Sequence, residues 1–175
     1  MKYVALIRGI NVGGNNMIKM ENLRATFAGL GFDDVKTYIN GGNVIFDVRK
    51  TDDKRLAGKI QDAILADFGV DISVMVRSID EIKNLIAGNP FEGQFENDKY
   101  LHAFFLNEPL TPEQADLLKA QGNDSERFHI TGRNFLCLLT ISILDSAVGK
   151  GFIDKKLKVA TTARNWRTVK KISLF

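Results

Sequence analysis

Residues 2–8, Lys2-Tyr3-Val4-Ala5-Leu6-Ile7-Arg8, decide the fold of this chain. The run is almost wholly apolar, bounded by charge and too short for a helix, so it reads as a central strand. The loop Gly9-Ile10-Asn11-Val12-Gly13-Gly14-Asn15-Asn16 follows. Met20, Leu23, Phe27 and Leu30 then recur at helical spacing, with Gly31 as the C-terminal cap. Further out, Val35–Ile39 alternates as a strand and Val44–Val48 reads as the next. Between them lies Asn40-Gly41-Gly42-Asn43. An Asn-Gly pair between strands predicts a tight hairpin, because both residues tolerate positive φ. Leu56, Ile60, Ile64 and Phe68 give a second helix ending at Gly69, and Ile72–Arg77 a fourth strand. The order over residues 2–77 is β-α-β-β-α-β, the split βαβ, ferredoxin-like arrangement. It predicts an α+β fold with a four-stranded antiparallel sheet and both helices on one face.

The second half is related but shorter. A helix over 79–88 points Ile79, Ile82, Leu85 and Ile86 inward, and Gly88-Asn89-Pro90 stops it. Residues 91–99 are polar and read as an exposed loop. His102–Leu106 reads as a strand, and Thr111-Pro112 starts a helix with threonine as N-cap. Glu126–Ile130 and Asn134–Ile143 read as a hairpin turning near Thr131-Gly132-Arg133. Val148, Phe152, Ile153 and Leu157 predict another helix, and residues 165–173 a terminal one. This order, β-α-β-β-α, echoes the first half without its last strand, and no residue-level repeat accompanies it. The expected organisation is a subdomain over 1–78, a linker helix and loop over 79–98, and a second α+β subdomain over 99–175 with a basic C-terminal helix.

The chain has 175 residues, 45% of them hydrophobic and 26% charged, which suits a globular protein that folds without staples. Its one cysteine, Cys137, cannot form an internal disulfide, so nothing requires an oxidising compartment. The apolar run Tyr3–Ile7 is too short for a signal-peptide core, and no stretch reaches membrane-spanning length. A cytoplasmic location off the membrane is the expectation. The net charge of +3 is uneven. Residues 146–175 contain eight basic residues against the single acid Asp154, so that segment carries +7 and the remainder −4. Such an end suits an anionic partner, an internal contact, or solvated helix faces.

Three segments carry a family resemblance: Leu6-Ile7-Arg8-Gly9-Ile10-Asn11-Val12-Gly13-Gly14-Asn15, Tyr38-Ile39-Asn40-Gly41-Gly42-Asn43-Val44-Ile45-Phe46, and Thr162-Ala163-Arg164-Asn165-Trp166-Arg167-Thr168-Val169. Asn89-Pro90-Phe91 also fits. The chain resembles the bacterial domain-of-unknown-function 1697 family along essentially its whole length. It departs from that family in its hairpin, where Gly41-Gly42-Asn43 stands in place of the usual serine-glycine-asparagine. The resemblance implies a two-part α+β fold related to ferredoxin-like domains, and it implies no activity.

The candidate site residues come from the same segments. Arg8 stands at the mouth of the glycine loop, where Gly13 and Gly14 free backbone N–H groups before a helix, a combination that suits an anion. The loop lacks a phosphate-loop lysine and is not G-x-G-x-x-G. On the bland reading the glycines allow a tight crossover, while Asn11 and Asn15 satisfy loop backbone groups. Arg164 can grip a carboxylate or phosphate, and Trp166 can stack on a ring. Otherwise Asn165 caps the last helix and Trp166 anchors it to the core. Asn43 is either a hairpin residue or a polar group facing the same cleft. His102 and His129 lack partners at metal-ligand spacing, Cys137 sits among apolar neighbours, and no cofactor is indicated. The expectation is a binding module for a small anionic or nucleotide-like ligand. Single-stranded RNA binding is the alternative by fold analogy, without the aromatic signature of RNA-binding sheets. An enzyme whose groups converge only in the fold stays open, as does the oligomeric state.

Overall fold

The computed structural model describes all 175 residues. The chain divides into two compact units, Met1–Asn84 together with Ile172–Phe175, and Leu85–Lys171.

The first unit contains β1 (Lys2–Ile7), α1 (Met20–Gly29), β2 (Asp33–Tyr38), β3 (Asn43–Asp47), α2 (Asp53–Phe68) and β4 (Val74–Ser78). The strands form one antiparallel sheet in the order β2-β3-β1-β4. Tyr3, Ala5 and Ile7 share a core with Leu23 and Phe27 of α1 and Leu56, Ile60 and Ile64 of α2, so both helices cover one face. Val4 and Leu6 point the other way and are fully buried as well. A strand covered on both faces has no polar side, which is why residues 3–7 are continuously apolar. Val4, Leu6 and Ile7 each contribute about 1.5–3 kcal/mol by leaving water. Local signals set the ends of α2: the Asp52 side chain accepts from the Arg55 N–H, and Gly69 closes the helix at φ 67°.

The β2–β3 connection differs from the expected Asn-Gly turn. Tyr38 pairs with Asn43, leaving a four-residue loop over 39–42. Positive φ falls at Ile39 (51°) and Gly42 (75°), not at Asn40 and Gly41. The cause lies in β1. The Ile7 N–H donates to the Gly42 carbonyl at 2.8 Å, and a Cβ on Gly42 would sit 2.8 Å from the Ile7 oxygen. Close approach of two backbones decides where the glycine must stand and overrides the local turn preference.

In the second unit lie β5 (Leu101–Leu106), α4 (Pro112–Lys119), β6 (Glu126–Thr131), β7 (Asn134–Leu139) and β8 (Thr161–Asn165). Their order is β6-β7-β5-β8, again antiparallel. Two expectations are corrected. The last strand is present as β8; its sequence, Thr-Thr-Ala-Arg-Asn, has little of the apolar character by which strands are recognised. The helix expected around Val148–Leu157 is a set of turns closed by a single π-helical turn, Ile153–Leu157. Gly149 and Gly151 interrupt it, and Lys158 at φ 55° ends it. Val148, Ile153 and Leu157 still reach the core with Phe104, Leu118, Phe135 and Cys137.

The two units repeat one backbone plan. Ile7 donates to Gly42 as Leu106 donates to Arg133, and Arg8 to Ser73 as Asn107 to Ala160. Each last strand runs directly into a helix, α3 (Ile79–Ala87) after β4 and α5 (Trp166–Ile172) after β8. Ser78 caps α3 in a capping box with Glu81, and Asn165 caps α5 by accepting from the Thr168 N–H. One residue before each cap, Arg77 and Arg164 occupy equivalent register positions opposite Val4 and Ala103.

Gly42→Ala is expected to destabilise the protein by about 1–3 kcal/mol through forced positive φ and the clash with Ile7. Gly58→Ala, in α2 with open space around it, is expected to stabilise by about 0.5–1 kcal/mol. Urea denaturation of the two variants checks the contrast.

Candidate functional site

β1 ends, and β3 and β4 begin, at one rim of the first sheet, which gathers Arg8, the glycine loop and the 39–42 loop. Residues 11–16 form a small hairpin of their own. The Asn11 N–H donates to the Asn16 carbonyl at 3.2 Å and the Asn15 N–H to the Val12 carbonyl at 3.0 Å. Gly13 and Gly14, at φ 59° and 78°, make the primed turn that such a hairpin needs. α1 does not begin until Met20. The glycines are therefore a projecting tip, and the helix N-terminus expected close behind them stands further along the chain.

Asn11 braces this hairpin. Its Nδ2 donates to the Ile18 carbonyl at 2.9 Å and to the Asn40 carbonyl at 3.1 Å, while its Oδ1 accepts from the Ile18 N–H at 2.8 Å. It thereby ties the glycine hairpin to the entry of α1 and to the 39–42 loop. Asn16 donates to the Gly9 carbonyl at 3.1 Å. Asn43 is fully buried and donates to the Tyr38 carbonyl at 3.0 Å, closing the other loop. These side chains serve the backbone, as the bland reading had it for Asn11. The tip itself, Val12–Asn15, is exposed. The N–H groups of Gly13 and Gly14 donate to no carbonyl of the chain. Arg8 is half-buried at the base of the hairpin, with its N–H on the Ser73 carbonyl at 3.0 Å.

The other expected residues belong to the second unit and form a separate group there. Arg164 on β8 donates through Nη1 to the Thr162 hydroxyl and the Ala163 carbonyl, both at 2.7 Å. Burial lowers its pKa to about 10, so it stays charged at neutral pH. Asn165 spends its Oδ1 on the helix cap. Trp166 is 1% exposed and offers no face for stacking; its geometry is that of an anchor for α5. Arg77, which sequence reasoning passed over, is the counterpart of Arg164: it is 1% exposed and donates to the Val76 carbonyl at 2.8 Å. The signal was an arginine followed by a capping residue and an apolar one, Arg77-Ser78-Ile79 and Arg164-Asn165-Trp166.

Neither histidine gathers catalytic partners. His102 Nδ1 is buried without a hydrogen-bond partner, and burial lowers its pKa. Cys137 is fully buried, and its thiol pKa is pushed up. No three His, Cys, Asp or Glu side chains cluster as a metal site would require.

The description of protein of unknown function DUF1697 applies to the family model that matches residues 1–135, a span that includes the whole rim. The chain belongs to the DUF1697 family. A solved structure, that of the conserved bacterial protein SP0830 from Streptococcus pneumoniae, superposes with a TM-score of 0.79. It is 24% identical and the alignment covers 99% of this chain and 97% of the other, so this DUF1697 protein shares its fold. No curated protein matches the chain. No helix is long and apolar enough to cross a membrane.

Asn11→Ala removes three hydrogen bonds at the rim. It is expected to cost about 1–3 kcal/mol and to speed amide exchange in both residues 11–18 and 39–42. Hydrogen exchange read by mass spectrometry checks whether the two loops loosen together.

Proposed function

We propose that this protein is a cytosolic binding module for a small anionic or nucleotide-like ligand, seated on the first unit's rim. One observation carries the reading. Asn11 and Asn16 are consumed in bracing the hairpin, while its tip presents the uncommitted N–H groups of Gly13 and Gly14 to solvent. Donors held by a braced turn lose little freedom on binding, and successive backbone N–H groups in a turn favour an anion. Arg8 supplies positive charge at the base, and Asn15 a polar side chain at the tip. Asn11 and Asn43 act as positioning residues. Arg164, Asn165 and Trp166 fall outside this reading, since their groups are engaged in β8 and α5. The lone buried Cys137 thiol fits a reducing compartment.

No observation favours single-stranded RNA. RNA-binding sheets stack bases on exposed aromatics. Here Val4, Leu6 and Ile45 of the first sheet, and Ala103, Phe105 and Leu136 of the second, are fully buried on the faces turned from the helical cores.

A thermal-shift screen with inorganic phosphate, AMP, ATP and nicotinamide dinucleotides tests the proposal. A compound at about 100 times its dissociation constant raises stability by roughly 2.7 kcal/mol. The wild type is expected to respond to at least one compound and Arg8→Ala to none. A flat screen, or an Arg8→Ala response equal to that of the wild type, rejects the rim as an anion site.

A further inference from the structure

We infer that the second unit holds a separate binding site for a small zwitterion with an apolar body, of the amino-acid class. The site is a cleft of about 740 Å³ roofed by the loop Gly93–Glu96 and walled by residues of the β6–β7 hairpin. That volume lies within the range small organic ligands fill. The floor is the buried Leu138, which pairs directly with Arg127 on the face turned from the core that holds Leu139, and Phe95 and Tyr100 line the sides. Charges of both signs stand around it: Arg127 on β6, Asp124 in the turn before β6, and Glu96 in the roof. None of these three side chains has a hydrogen-bond or ion-pair partner within the chain.

Arg127 is aimed without being neutralised. Its guanidinium lies over the ring of Phe91, 5.4 Å from the centroid, a cation–π contact that leaves its donors available. Phe91 is buried and fixed in turn. Its N–H donates to the Asn89 side chain at 3.0 Å, and its carbonyl accepts from the Gln94 N–H at 3.0 Å. The Gln94 side chain closes the loop on the Pro90 carbonyl at 2.8 Å. The segment Asn89-Pro90-Phe91, which carries part of the family resemblance and has no place in the first unit's rim, thereby both builds the roof and orients Arg127.

The charge balance selects the ligand class. Two acids stand beside Arg127 and near Lys99, whose ammonium lies 5.0 Å from the centroid of the Tyr100 ring, so a simple anion or a simple cation leaves charge of the other sign unmatched. A molecule with one carboxylate and one ammonium group matches both signs, with its apolar body on the Leu138 floor.

Isothermal titration of the full chain with L-phenylalanine and L-leucine, each beside its N-acetyl and carboxamide derivatives, tests the assignment. The free amino acids are expected to bind saturably, and blocking either charged end to weaken binding at least about tenfold, the equivalent of 1.4 kcal/mol. Arg127→Gln is expected to bind free acid and carboxamide alike, while Glu96→Gln with Asp124→Asn loses its preference for the free amine. All these positions are exposed, so the variants should melt like the wild type. Absence of saturable binding at millimolar concentrations overturns the inference. So does equal binding of free and blocked compounds, or an unchanged preference in Arg127→Gln.

Discussion

The first unit's rim hangs on the contact between Ile7 and Gly42. A backbone hydrogen bond of 2.8 Å holds the end of β1 against the entry of β3, and the approach leaves no room for a side chain at residue 42. That contact fixes where the 39–42 loop leaves the sheet. The loop's Asn40 carbonyl then becomes an acceptor for Asn11, and Asn11 in turn sets the base of the glycine hairpin. Backbone geometry thus precedes polar bracing, and polar bracing precedes the exposed tip. Ile39 illustrates the cost: a β-branched residue sits at positive φ, a conformation such residues rarely adopt.

The second unit shows what the same plan does without that constraint. Leu106 donates to Arg133 just as Ile7 donates to Gly42, yet the β6–β7 turn has only two residues between the paired Thr131 and Asn134. Gly132 there takes the positive φ, and Arg133 does not need to be glycine. No glycine hairpin follows β5; Asn107–Leu110 leads toward the capped start of α4. The common elements are those the sheet requires: strand order, the carbonyl partners at the ends of β1 and β5, the arginines Arg77 and Arg164, and the helix caps after the last strands. The loops are free to differ, and each candidate site draws on one of them.

How much of this was legible in the sequence follows from the same division. Strands buried on both faces, such as residues 3–7, stand out as apolar runs, and Thr111-Pro112 and Gly69 mark helix ends through local chemistry. The α+β class and the element order of residues 2–77 were therefore readable. β8 was not, because Thr161-Thr162-Ala163-Arg164-Asn165 is held by pairing with β5 and not by its own hydrophobicity. The Asn40-Gly41 turn was misread because a contact with a strand more than 30 residues away chose the glycine. The site divided the same way. Asn11 and Asn43 were singled out from the sequence, but the bond from Asn11 to the distant Asn40 carbonyl belongs to the fold. The cleft with Arg127, Asp124 and Glu96 left no local pattern at all, since its floor, wall and roof come from separate segments.

Backbone amide NMR of the wild type, titrated with inorganic phosphate and then AMP, tests the central claim most directly. The account predicts saturable shifts centred on Gly13, Gly14 and Asn15, extending to Arg8 and residues 39–42 and leaving the second unit unmoved. Shifts that never saturate, or that centre anywhere other than the hairpin tip, would contradict it.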